Sequence, residues 1–139
     1  MNDFNNLANL LLSLETHSDP RGNLLVINFK SSLPFTPVRF FSTYNVPKTT
    51  SRGGHAHRTC EQLLIASSGS VEVTLYKNDY SSTFLLDSPE TGLYIPPMTW
   101  GVQHDHSPRM VLSVFASEEY NSTEYIREFH EFEELSKVI

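Results

Sequence analysis

From residue 19 onward the chain alternates short apolar runs with clusters of turn-forming residues. Residues 71–76 (V-E-V-T-L-Y) are the clearest run, with Val71, Val73 and Leu75 on one side and Glu72 and Thr74 on the other. Such alternation is the period-2 signature of a half-buried strand. Residues 38–44, 62–66, 83–86, 92–95 and 110–116 read as further strands, and D-P-R-G-N-L at 19–24 leads into the first. Between them S-S-G-S, K-N-D-Y-S-S, D-S-P-E-T-G and P-P-M-T-W-G supply turn residues. Many short strands at regular spacing, with no helical pattern between them, predict an all-β sandwich or barrel.

The two ends have a different period. Phe4, Leu7, Leu10, Leu11 and Leu14 recur at helical spacing, as do Phe129, Phe132, Leu135 and Val138 near the end. The expected architecture is one domain over residues 1–139. Residues 1–18 form an extension with a short helix, residues 19–133 the β core, and a second helix follows.

Composition narrows the class. Sixteen acidic against ten basic side chains give a net charge of -6, opposite to the basic face that nucleic-acid binding requires. No apolar run approaches the ~20 residues needed to cross a bilayer. The first residues lack the basic n-region of a secretory signal. The lone cysteine, Cys60, has no partner for an internal disulfide, so a cytoplasmic location is expected.

Chemistry concentrates in S-R-G-G-H-A-H-R-T-C-E-Q, residues 51–62. In an extended chain His55, His57 and Glu61 share one face, while Ala56, Arg58 and Cys60 take the other. A second segment, Y-I-P-P-M-T-W-G-V-Q-H-D-H, carries Trp100 and His104. H-x-H-x3-E followed about forty residues later by G-x2-H resembles the paired motifs of cupins. In a metal-binding cupin the ligands would be His55, His57, Glu61 and His104, a set suited to a divalent transition metal.

Longer stretches sharpen the resemblance. D-P-R-G-N-L, P-F-T-P-V-R-F-F, R-G-G-H-A-H-R-T-C-E-Q-L-L-I-A-S-S-G-S-V-E-V, L-D-S-P-E-T-G-L-Y-I-P-P-M-T-W and V-F-A-S-E-E-Y-N-S-T-E-Y-I-R-E-F-H-E-F run in order through residues 19–133. Together they resemble the dTDP-4-keto-6-deoxy-D-glucose 3,4-ketoisomerases, a family within the cupins. The resemblance implies a jelly-roll β-barrel and a homodimer, with catalysis by His55 and His57 and neither metal nor cofactor. The implied product is a dTDP-3-keto-6-deoxyhexose, a precursor of 3-amino-3,6-dideoxy sugars in surface polysaccharides such as lipopolysaccharide O-antigen. The chain departs from the family at Phe40-Phe41, where tyrosines are usual, and at Gly101, where a polar residue is expected. Tyr44 is the nearest replacement for the missing hydroxyls.

The residues suit such a reaction. Moving a carbonyl from C4 to C3 of a hexose requires a proton to leave C3 and another to reach C4. Imidazole, with a pKa of ~6.5, can both take and give protons near neutral pH. Glu61 could fix a histidine tautomer. A diphosphate in an acidic protein calls for arginines, of which Arg39 and Arg52 are the first candidates and Arg21 and Arg127 weaker ones. Tyr94 or Trp100 could stack on the base, and His104 could line the pocket. Two other readings stay open: a metal-dependent cupin enzyme, and a sugar-nucleotide-binding cupin without turnover.

Overall fold

Val71, Val73 and Leu75 are fully buried, while Glu72, Thr74 and Tyr76 stay half-exposed along the same strand. The structure, a computed structural model, describes residues 7–137. Its strands are β1 (Leu11–Ser13), β2 (Glu15–Asp19), β3 (Gly22–Val26), β4 (Arg39–Tyr44), β5 (Arg52–His57) and β6 (Gln62–Ser68). Then come β7 (Val71–Lys77), β8 (Tyr80–Leu86), β9 (Thr91–Ile95), β10 (Trp100–His104), β11 (Val111–Ala116), β12 (Tyr125–Ile126) and helix α1 (Phe129–Ser136). Two five-stranded sheets run in the orders β1-β9-β6-β11-β4 and β12-β5-β10-β7-β8, and β2-β3 forms a separate hairpin.

The main core takes Leu64, Leu93, Leu112 and Val114 from the first sheet and Val71, Val73, Leu75 and Leu86 from the second. The two sheets therefore close face to face over shared aliphatic side chains, the jelly-roll arrangement expected of a cupin. The outer face of the first sheet is covered by the segment leading into β4, with Phe35 6.1 Å from Tyr94 and Phe29 5.9 Å from Phe115 between ring centroids. On the outside of the second sheet a smaller cluster joins Ala56, Trp100, Ile126 and Phe132. Helix α1 thus braces the back of β5, the strand that carries both candidate histidines.

The tail folds as its period predicts, with Phe132 of α1 buried and Val138 beyond the described residues. The front does not. Leu11–Ser13 pairs with β9 as an edge strand instead of entering a helix. Leu7 and Asn9 take left-handed backbone angles (φ 67° and 60°) that no α-helix accommodates. The exposed edge of β9 offers hydrogen bonds that outweigh a marginal short helix: Tyr94 N–H donates to Leu10 O at 2.8 Å. Phe4 lies outside the described residues. The P-P-M-T-W-G stretch is also shorter as a turn than it reads, since Trp100 already opens β10.

Leu64 is 1% exposed at the centre of the core. Leu64→Ala should destabilise the fold by ~2–5 kcal/mol, read as a lower urea midpoint. An unchanged midpoint would show that the two sheets do not share this core.

Candidate active site

Strand β5 lies between β12 and β10 in the second sheet. Its odd positions face the lumen, so His55 and His57 line a cavity with Gln62, Val73, Ile95, Thr99, Gly101 and Gln103. Gly53 permits this approach: it has φ +80°, and a Cβ there would lie 2.8 Å from the Gly101 carbonyl oxygen on β10. The two imidazoles meet edge to face at 5.0 Å.

His57 is held from behind. Its Nδ1 hydrogen-bonds to Glu124 Oε1. The other carboxylate oxygen of Glu124 accepts from the backbone N–H groups of Thr59 and Cys60, each at 3.2 Å. Glu124 is 7% exposed, and a carboxylate so buried requires these charge-assisted partners. It reaches this place from a short 3₁₀ turn, Ser122–Glu124, capped by Asn121, whose side chain accepts from Thr123 N–H. In the neutral tautomer that donates Nδ1–H to Glu124, the Nε2 of His57 is the acceptor. That atom is buried and finds no hydrogen-bond partner among the described residues. An acceptor nitrogen held in a cavity is the equipment of a general base.

His55 is prepared differently. Burial, then the neighbouring His57, then Arg127 push its pKa down to about 4. It is neutral at pH 7, with one ring nitrogen to give a proton and one to take it.

Aromatic and cationic groups surround the pair. The Tyr125 ring lies 5.0 Å from His55 and 4.4 Å from His57, and Arg127 stacks over it at 4.4 Å. Tyr120 continues the layer at 5.7 Å from Tyr125. The Arg39 guanidinium carbon lies 5.9 Å from the Tyr120 ring centroid and 5.2 Å from that of Phe41. Arg127 therefore stands beside the imidazoles, and Arg39 lies further out at the far end of the aromatic layer.

Strand parity decides where the remaining candidates go. On β10 the lumen positions are Gly101 and Gln103, so Trp100 and His104 face outward. Trp100 packs against Phe129 and Phe132 of α1. His104 bonds Thr74 Oγ1 and Asp105 at 2.7 Å each. Tyr94 pairs with Leu63 on the outer face of the first sheet and donates its hydroxyl to Glu61 at 2.6 Å. Burial and Glu61 push that phenol well above its ordinary pKa, which keeps it a donor. Tyr44 is exposed on the outward side of β4, and Arg52 is exposed at the start of β5 opposite Gln103.

Two expectations need correction. Glu61 does not orient a histidine; β5 ends at His57, the chain bends through Arg58–Cys60, and the shared parity is lost. Nor do His55, His57, Glu61 and His104 assemble as one ligand set. Among the described residues the groups whose ligand atoms converge are His57, Cys60 and Glu124, and separately Glu72, His104 and Asp105. Glu124, Tyr125 and Gln103 escape a reading by local pattern. The Y-I-R ending that follows Glu124 marked the segment, but nothing local in it points to a histidine far back in the chain.

Because the folded pKa of His55 lies below the ~6.5 of an unfolded chain, the unfolded state binds more protons between these values. Stability should therefore fall as pH drops from ~6.5 towards 4, and His55→Asn should flatten that part of the slope. The His55 ring signal in an NMR titration should stay flat from pH 8 down to ~5.5; titration near 6.5 would contradict its burial.

The geometry accords with comparisons to known proteins. The FdtA family model (WxcM-like, C-terminal) matches residues 8–137. A TDP-4-oxo-6-deoxy-alpha-D-glucose-3,4-oxoisomerase of Aneurinibacillus thermoaerophilus is 34% identical over 126 residues, covering 91% of each chain. The 3,4-ketoisomerase QdtA of Thermoanaerobacterium thermosaccharolyticum, solved with TDP, superposes with a TM-score of 0.90 at 34% identity, covering 92% of this chain and 93% of that one. A variant of that enzyme solved with TDP-4-keto-6-deoxyglucose matches to the same extent. By sequence and by fold, this chain belongs to the FdtA, WxcM-like family, within which these relatives are sugar 3,4-ketoisomerases.

Proposed function

We propose that this protein converts TDP-4-keto-6-deoxyglucose to the corresponding 3-keto sugar, using His57 and His55 for the proton transfers. The observation that carries the reading is the His57–Glu124 pair, which presents a bare Nε2 to the lumen beside a neutral His55. The C4 ketone acidifies the C3–H bond. His57 Nε2 takes that proton, and the electron pair moves to form a C3–C4 enediol. Glu124 stabilises the imidazolium as it forms, as a buried carboxylate can at short range. As the enediol forms, O4 takes the N–H proton of His55. C4 then takes a proton from the His57 imidazolium, which exchanges with solvent, and O3–H returns one to His55, leaving the ketone at C3. Neutral His55 suits the exchange between the two oxygens, since it donates at one nitrogen and accepts at the other. No step calls for a cofactor.

The nucleotide needs cations and an aromatic face. Arg39 and Arg127 flank the aromatic layer beside the histidines, with Arg52 at the rim of β5, and guanidinium forks match diphosphate oxygens. Tyr120, 63% exposed beside Arg39, offers a surface for the base. No helix among the described residues is long and apolar enough to cross a membrane. A buried free Cys60 fits a reducing cytoplasm. A homodimer is supported by the outer edges of β4 and β8, which pair with no strand among the described residues, and by Phe40 of β4, 57% exposed. Sedimentation should then give twice the chain mass.

NMR of the reaction with TDP-4-keto-6-deoxyglucose in D2O and EDTA tests the proposal. Deuterium should appear at C4 of a 3-keto product. His57→Asn should lower turnover by ~10²–10⁴-fold. Glu124→Gln, by weakening a buried charged hydrogen bond of ~1.5–3 kcal/mol, should lower it by roughly 10–100-fold. Tight TDP binding without any exchange would instead mark a binding protein, and full activity of His57→Asn would remove the base assignment.

A further inference from the structure

The turn between β9 and β10 contains two consecutive prolines, Pro96 and Pro97, and then Met98 at φ 57°. Prolines donate no N–H and a left-handed methionine is strained, and the turn's own side-chain support is a long 3.5 Å contact from Thr99 Oγ1 to Pro97 O. It nevertheless touches the site three times. Met98 N–H donates to the carbonyl of His57 at 2.7 Å, and the residues on either side, Ile95 and Thr99, form part of the lumen wall.

Lys77, the last residue of β7, reaches this turn. Its Nζ donates to Pro97 O at 3.1 Å and Met98 O at 3.4 Å. The side chain is half-buried, and that burial pushes the ammonium pKa below its ordinary value. Keeping a charge there is costly, and an ammonium with three donors can serve two diverging carbonyls where a neutral side chain of similar length cannot.

We propose that Lys77 is a positioning residue for His57: it fixes the 96–99 turn, whose Met98 N–H in turn fixes the His57 backbone. Glu124 then holds the ring from one end and the turn holds the main chain from the other. The proposal rests on the ketoisomerase reading for its kinetic consequences, but its structural link can be read without substrate.

Lys77→Met keeps the aliphatic stem and removes the donors; Lys77→Arg keeps charge and donors. Three quantities are read on both: the downfield proton resonance of the His57–Glu124 bond, the split between kcat and KM, and the melting temperature. Lys77→Met should move or broaden the downfield resonance and lower kcat about tenfold with KM within about twofold, since small misplacements of a reacting group carry large rate losses. Lys77→Arg should restore the resonance and most of kcat. An unchanged resonance in a folded Lys77→Met protein overturns the proposal, whatever the rate. Loss of fold in both variants also overturns it, because Lys77 would then be purely structural. A wild-type enzyme inactive on the keto sugar would sink the functional reading alone, leaving the resonance to judge Lys77.

Discussion

A strand sends successive side chains to opposite faces, and in a two-sheet barrel those faces are a closed interior and an outside. Almost everything about this site follows from that constraint. On β5 it turns His55 and His57 inward and Ala56 back against α1. On β10 it turns Gly101 and Gln103 inward and sends Trp100 and His104 to the far side. Gly53 lets β5 lie close against the Gly101 carbonyl of β10, so that the inward groups of the two strands share one cavity.

Into this frame the chain inserts a buried hydrogen bond between a histidine and a carboxylate. Glu124 comes from the segment after β11 and meets the end of β5 through His57 and through two backbone donors. β12 runs beside the same stretch, with Tyr125 opposite His57. The contact therefore joins parts of the chain far apart in sequence at the point where chemistry is needed. Removing either partner would strand the other in a dry site, which is why the arrangement sets both geometry and reactivity.

The two histidines, identical in residue type and two positions apart, sit in different surroundings. One is backed by a carboxylate and the other by burial and a guanidinium. The proposed proton transfer between adjacent carbons draws on that difference, with the carboxylate-backed ring as base and the neutral ring as relay. The layer of Tyr120, Tyr125, Arg39 and Arg127 supplies the aromatic and cationic groups on which the proposed nucleotide binding draws.

Periodicity and wording determined much on their own. The V-E-V-T-L-Y alternation announced a half-buried strand, the series of short strands a β-sandwich or barrel, the closing aromatic spacing α1, and the spacing of H-A-H put His55 and His57 on one face. Each of these rests on local pattern, read one element at a time. What lay beyond reach was every relation between elements. Glu61 looked like the partner of His57 because it was near in sequence, yet the end of β5 turns it towards Tyr94 and brings Glu124 instead. The leucines at the front kept a helical spacing, but the open edge of β9 offered them a strand. His104 completed a ligand pattern on paper and fell on the outer face through the parity of β10. Local pattern says which way a side chain alternates; only closure of the barrel says what stands opposite it.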